Sequence, residues 1–146
     1  MKLLNYCEED WKQKILSLPK LRTYVNFKQN FELEPYVSMN LNKQERSVMA
    51  QFRCGILPLR IETGRYVNEP PQERFCKLCN DGSIEDEKHF LLSCKYFNSQ
   101  RETFFRNMNI DRNVQININE LMEKNQRQIA KFLHILFNAR KQHLYK

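Results

Sequence analysis

The sequence predicts a mainly α-helical fold: a small single domain of short helices and ordered loops, closed by an amphipathic helix at its C-terminal end. Three observations carry this. Only three glycines and five prolines occur in 146 residues, too few for the many tight turns of an all-β chain. The clearest periodicity, in NQRQIAKFLHILFNARKQHLYK, is helical. Three cysteines and one histidine fall within residues 76–94, where they can fasten the loops between them to one point. A hydrophobic share of 41% with 12% aromatics supports a packed core rather than a disordered chain. Three parts are expected in one compact domain: an N-terminal mixed extension, 1–40; a helix and the cysteine-rich region, 41–106; and a connector with the C-terminal helix, 107–146.

In chain order, EEDWKQKILSL places Trp11, Ile15 and Leu18 at helical spacing, and Pro19 ends that helix. KLRTYVNFKQNF alternates Leu21, Thr23, Val25 and Phe27 and is read as extended, since helical spacing fits it less well. In LNKQERSVMAQFRCG, Asn42 and Glu45 form a capping box, Leu41, Val48, Met49 and Phe52 a core stripe, and Gly55 the stop. Residues 56–74 lack clean periodicity and are broken by Pro58, Gly64, Pro70 and Pro71, which predicts an ordered loop. SIEDEKHF reads as a helix start, with Ser83 as N-cap, Asp86 placed to reach back to it, and Glu85, Asp86 and Glu87 where the dipole favours acids. YFNSQRETFFRNM predicts a helix with its aromatic side inward, and NIDRNVQININ a connector. The last helix carries Ile129, Phe132, Leu133, Leu136 and Phe137 as its stripe, with Arg127, Lys131, Arg140 and Lys141 elsewhere on it. His134 and His143 read as surface or packing residues.

The N-terminal apolar run is cut short by CEED, too early for a signal peptide. No stretch approaches the roughly 18 apolar residues of a membrane span. An intracellular, reducing compartment is therefore expected, where clustered cysteines more often bind metal than pair with each other. Cys76, Cys79, His89 and Cys94, spaced C-x2-C-x9-H-x4-C, form such a cluster. A Cys-x-x-Cys turn converges two sulfurs on one ion and a second pair completes a tetrahedron, which is the pattern of a structural zinc knuckle. On an ideal α-helix His89 and Cys94 lie about 140° apart, so the helix between them must loosen or end. Three thiolates and an imidazole on Zn²⁺ leave one negative charge, which Lys77, Lys88 and Lys95 can balance. Cys54 reads as a buried thiol and Cys7 has no evident partner.

A formal charge of +7 points to an anionic partner, RNA or DNA in the first place. The candidate phosphate contacts are Arg60, Arg65 and Arg74 on the approach to the cluster, with Lys77, Lys88 and Lys95 around it. The arginines, with Arg53, are equally read as ion-paired to Glu62, Glu69 and Glu73. Tyr66 and Phe75 are candidates for stacking on bases, and Phe75, beside Cys76, is equally read as a core residue. No Gly-rich phosphate loop, Ser-centred elbow or His-Glu-x-x-His helix is present, so no enzyme is expected, and with all four coordination positions filled by protein the zinc is expected to be structural.

The elements FRCGILPLRIETGRY, ERFCKLC, EDEKHFLLSC and YFNSQR together resemble the zinc-binding tail that follows the polymerase domain in animal non-LTR (LINE-type) retrotransposon proteins. The resemblance covers roughly residues 20–106. It implies a zinc knuckle carried by a reverse transcriptase, with ligands at Cys76, Cys79, His89 and Cys94, that helps engage template RNA or target DNA. Neither the polymerase's paired aspartates nor an endonuclease is in this sequence, so a detached tail without polymerase activity is expected. The partners it implies are nucleic acid and the parent element's polymerase domain. The alternatives are a zinc-stabilised protein-docking module and a non-functional retroelement remnant.

Overall fold

The computed structural model describes all of residues 1–146 and is mainly helical, as the sequence predicts. Eight α-helices follow one another: α1 (Lys2–Ser17), α2 (Arg22–Phe27), α3 (Pro35–Ser38), α4 (Lys43–Arg53), α5 (Arg60–Tyr66), α6 (Asn98–Asn107), α7 (Ile118–Lys124) and α8 (Gln126–Leu144). Between α5 and α6 lie a loop closed by one antiparallel bridge, Phe75 to Ile84, and a π-helical turn, His89–Ser93. No helix is long and apolar enough to cross a membrane.

The centre of the fold is the packing of α4 on α8. Asn42 caps α4 by accepting from the Glu45 amide at 2.8 Å, and the Glu45 carboxylate accepts from the Asn42 amide at 3.1 Å, so two otherwise orphaned donors are satisfied. Val48, Met49 and Phe52 then face Ile129, Leu133, Leu136 and Phe137 in one continuous core. Gly55, at φ +68°, turns the chain away beneath Thr23; a β-carbon there would stand 2.8 Å from the Thr23 hydroxyl. A line of rings carries the core from α2 to the metal-ligand region: Phe27 stacks on Phe52, which meets Phe90, and Phe90 lies edge-on to Phe97 at 5.4 Å.

Four local expectations are corrected. Residues 22–27 are helical, not extended, because the face that packs inward is Thr23, Tyr24, Phe27 and Lys28, a helical spacing that tertiary contact selects over the alternation. Residues 60–66 form α5 instead of loop. Ser83 is not an N-cap, since Ile84 beside it is held in the bridge to Phe75. The cap is Asp86, whose Oδ1 accepts from the His89 amide at 2.7 Å. In the connector, Asn117 starts α7 by accepting from the amides of Asn119 and Glu120.

Buried charges fasten these pieces. Arg140 is only 2% exposed and Glu85 1%, and the guanidinium grips both carboxylate oxygens at 2.8 Å. The same carboxylate accepts from the first amide of α5, Arg60 N, at 2.8 Å, and the Glu85 carbonyl accepts from Ile61 N at 3.0 Å. Arg140 therefore belongs to the buried face of α8, not to the solvated one. Glu34 receives Lys28 at 2.9 Å and Arg53 at 2.8 Å, fixing α2 and α3 to α4. Removing one member of such a pair strands its partner, at a cost of about 3–5 kcal/mol. Urea denaturation should show that loss for Glu85→Leu, and the double variant Glu85→Leu/Arg140→Met should regain most of it. Equal stability of the single variant and the parent would show that the pair does not lock the fold.

Candidate metal centre

The four predicted ligands come from two local structures, a loop and a π-helical turn. Phe75 and Ile84 pair, and Cys76 N donates to the Ser83 carbonyl at 2.8 Å, so residues 75–84 close into a small loop. Asn80 (φ 51°) and Gly82 (φ +79°) supply its left-handed turn positions. Cys76 and Cys79 lie on the first limb, and the Leu78 amide approaches the Cys76 sulfur at 3.4 Å. Asp81 fixes the far end, accepting from Ser83 N at 3.0 Å and from the Cys79 thiol at 3.2 Å.

His89 and Cys94 come from the π-helical turn. Cys94 N donates to the His89 carbonyl at 2.7 Å, an i to i+5 bond that replaces the α-helical one. The wider turn brings position 94 back over position 89. The loosening that the spacing demanded is thus a single π turn. Its entry is capped by Asp86. Its exit is held by Arg101, whose guanidinium donates to the carbonyls of Leu91 (2.9 Å) and Cys94 (3.0 Å) and to Asn98 Oδ1 (2.9 Å).

The four ligand atoms, three Sγ and one imidazole nitrogen, all lie within 4.8 Å of one another, close enough to hold a metal ion. Cys76 and Cys94 are 3.8 Å apart sulfur to sulfur, well beyond the roughly 2.05 Å of a disulfide. Cys79 Sγ lies 3.5 Å from His89 Nε2. Cys76, His89 and Cys94 are buried and Cys79 faces partly outward. The hydrogen bond shared by the Cys76 and Cys94 sulfurs holds Cys76 well below the ordinary thiol range and pushes Cys94 above it. Burial raises Cys79, and the neighbouring Cys76 sulfur raises His89. Cys54 lies outside the cluster, its thiol raised by burial, and Cys7 is exposed.

The predicted phosphate contacts divide into two sets. Arg74 is buried: it donates to the Ile61 carbonyl at 2.7 Å and twice to the Glu69 carbonyl, with its stem across Gly64, where a β-carbon would come within 2.6 Å of it. Arg60 is paired with Glu69, and Arg65, half out in solvent, with Glu62 at 2.8 Å. Tyr66 is 75% exposed and donates to Glu62, and Phe75 is 47% exposed. Lys77, Lys88 and Lys95 are exposed and in no ion pair, so the buried cation beside the ligands is Arg101 instead. The sequence showed Arg101 only as the end of YFNSQR, and Asp86 as the residue placed to reach back to a Ser83 cap rather than as the cap itself. The signals that could have found them are the Asp-x-x-His spacing of a cap and an arginine soon after the last cysteine.

A scan against protein-family models found no match, and searches of curated proteins and of solved structures found none either.

Ion binding needs every thiol deprotonated and the imidazole neutral. Cys79 and Cys94, raised above the ordinary thiol range, hold their protons at neutral pH, and the Cys76 sulfur favours the protonated form of His89. Binding must expel them, so affinity should rise with pH through the neutral range and collapse on acidification. Competitive titrations at three pH values should show log K rising with pH. A flat profile would mean that these thiols are not the ligands.

Proposed function

We infer that the chain is a zinc-stapled nucleic-acid-binding module, of the kind its sequence resembles in the tails of LINE-type reverse transcriptases, with a structural ion and no polymerase activity of its own. The observation that carries this reading is the convergence of Cys76, Cys79, His89 and Cys94 with three unpaired lysines around them. A tetrahedral Zn²⁺ with ordinary bond lengths spaces two sulfurs about 3.8 Å apart, and a sulfur and a nitrogen about 3.6 Å. The cluster's 3.8 Å and 3.5 Å separations fit those edges. A Cys3His set also suits zinc better than the harder cations, which favour oxygen. Four protein ligands leave no position for water, which supports a role in folding rather than in catalysis.

Elemental analysis should find one zinc per chain, and cobalt substitution should give the absorption of a tetrahedral thiolate site. Structural zinc contributes on the order of 10 kcal/mol, comparable with a whole domain's stability. Chelation or Cys79→Ser should therefore unfold at least residues 70–106 while part of α8 persists. Protein purified without chelator and free of stoichiometric metal would sink the zinc reading.

For the nucleic acid, the arginine pairings move the weight of the phosphate surface to Lys77, Lys88 and Lys95, with Arg65 able to swing from Glu62. Affinity for single-stranded RNA should fall steeply with salt, at about −0.7 in log–log slope per contact. Lys77→Gln/Lys88→Gln/Lys95→Gln should reduce the slope by about two without releasing metal. One observation favours the second reading, a docking module: Arg60 and Arg74 are engaged internally, which thins the basic surface. If the triple variant binds RNA, single-stranded DNA and duplex DNA as the parent does at every salt concentration, that second reading takes over.

A further inference from the structure

A second surface lies away from the metal ligands. Between α6 and α8 runs an open groove of about 540 Å³. Its floor is Phe104, Met108, Phe132 and Ile135, and Asn107 and Gln128 stand on its rim. On each wall the lining residues recur at helical spacing, 100, 104 and 107 on α6 and 128, 131 and 135 on α8. The groove therefore runs along both helices for about 10–12 Å, or two helical turns. Ile135 is 54% exposed, although α8 buries its main stripe on the α4 side.

Charge decides what fits. None of the ten lining residues is acidic, and the one ion among them, Lys131, has no ion-pair partner. Arg127, one turn from Lys131, and Arg106, one turn from Thr103 on the α6 wall, are exposed and equally unpaired. The nearest carboxylate on α6, Glu102, is taken by Arg112 at 2.7 Å. A nucleic-acid strand would need several ring faces to stack on, but Phe132 is buried and Phe104 lies parallel on it, within 3° at 4.1 Å, which leaves at most one face of one ring. What remains is an apolar floor between neutral amides and cationic shoulders.

We propose that this groove docks an acidic amphipathic helix of a partner protein, seating apolar side chains at i, i+3 or i+4, and i+7 on the Phe104–Ile135 floor, with Asp or Glu on its flanks meeting Arg106, Arg127 and Lys131. The surface is independent of the metal-centred reading, because none of its residues is a ligand or a knuckle lysine.

The test uses the full chain, methyl-labelled for NMR, and three probes: an acidic amphipathic peptide of about 14 residues, four turns of helix, the same peptide with lysine for each acid, and a short single-stranded RNA. The acidic peptide should shift the Ile135 and Met108 methyls saturably, and the basic peptide should not. Ile135→Asp should weaken binding about tenfold or more, and Lys131→Glu, at an exposed site that leaves folding intact, should weaken it several-fold. No saturable shift at these methyls with the acidic peptide, equal shifts with the basic one, or displacement of the acidic peptide by RNA would each overturn the assignment.

Discussion

The carboxylate of Glu85 is the point on which the three parts of this molecule meet. It sits between the cysteine loop and the π turn, takes both arms of Arg140 from α8, and receives the first amide of α5. Its own amide donates to the Arg74 carbonyl at 3.1 Å, so the same residue closes the loop that presents Cys76 and Cys79. A carboxylate so deeply buried is tolerable only when every oxygen is matched by a donor. That requirement fixes the spacing of α5, α8 and the loop together. The metal-ligand cluster is therefore not a pendant finger but part of the wall of the main core, with Phe90, Leu91 and Cys94 buried among the residues of α4 and α8.

The same logic recurs around it. Glu34 is matched by Lys28 and Arg53, and Glu87 by Thr23 and Arg22, whereas Arg101 meets two carbonyls and Asn98 and leaves one guanidinium nitrogen without a partner. Such pairs add little net stability over apolar replacements, because desolvation offsets much of their attraction. Their effect here is on geometry: each permits one arrangement of its elements, and a shifted helix would leave a buried charge unmatched.

What could be read from the sequence follows from how local each signal is. The Asn42–Glu45 capping box, the stripe of α8 and the Cys/His quartet are written within short stretches of chain and stand in the structure as read. The helices α2 and α5 are too short for periodicity to declare and owe their form to distant partners, Glu87 under Thr23 and Glu85 at Arg60. Arginine was the residue least legible. Arg74, Arg101 and Arg140 look like surface cations in isolation, yet all three are buried. Arg140 did carry a clue, since it continues the line Ile129, Leu133, Leu136, and a charge on an apolar stripe asks for a buried partner. The π turn was half visible: the five-residue step from His89 to Cys94 excluded a regular helix without naming the alternative.

Charge distribution, rather than total charge, shapes what this protein can meet. Ten of its 24 lysines and arginines are held in ion pairs. Arg46, Arg74 and Arg101 are spent on backbone carbonyls, and Lys141 lies over the Phe137 ring. Besides Lys2, Lys20, Lys43 and Lys146, unpaired cations remain beside the ligands, at Lys77, Lys88 and Lys95, and along the α6–α8 groove, at Arg106, Arg127 and Lys131. The two sets differ in what lies between the charges. Around the ligands it is a tight polar loop. Along the groove it is an apolar floor two turns long. A net charge of +7 alone would have merged these surfaces into one.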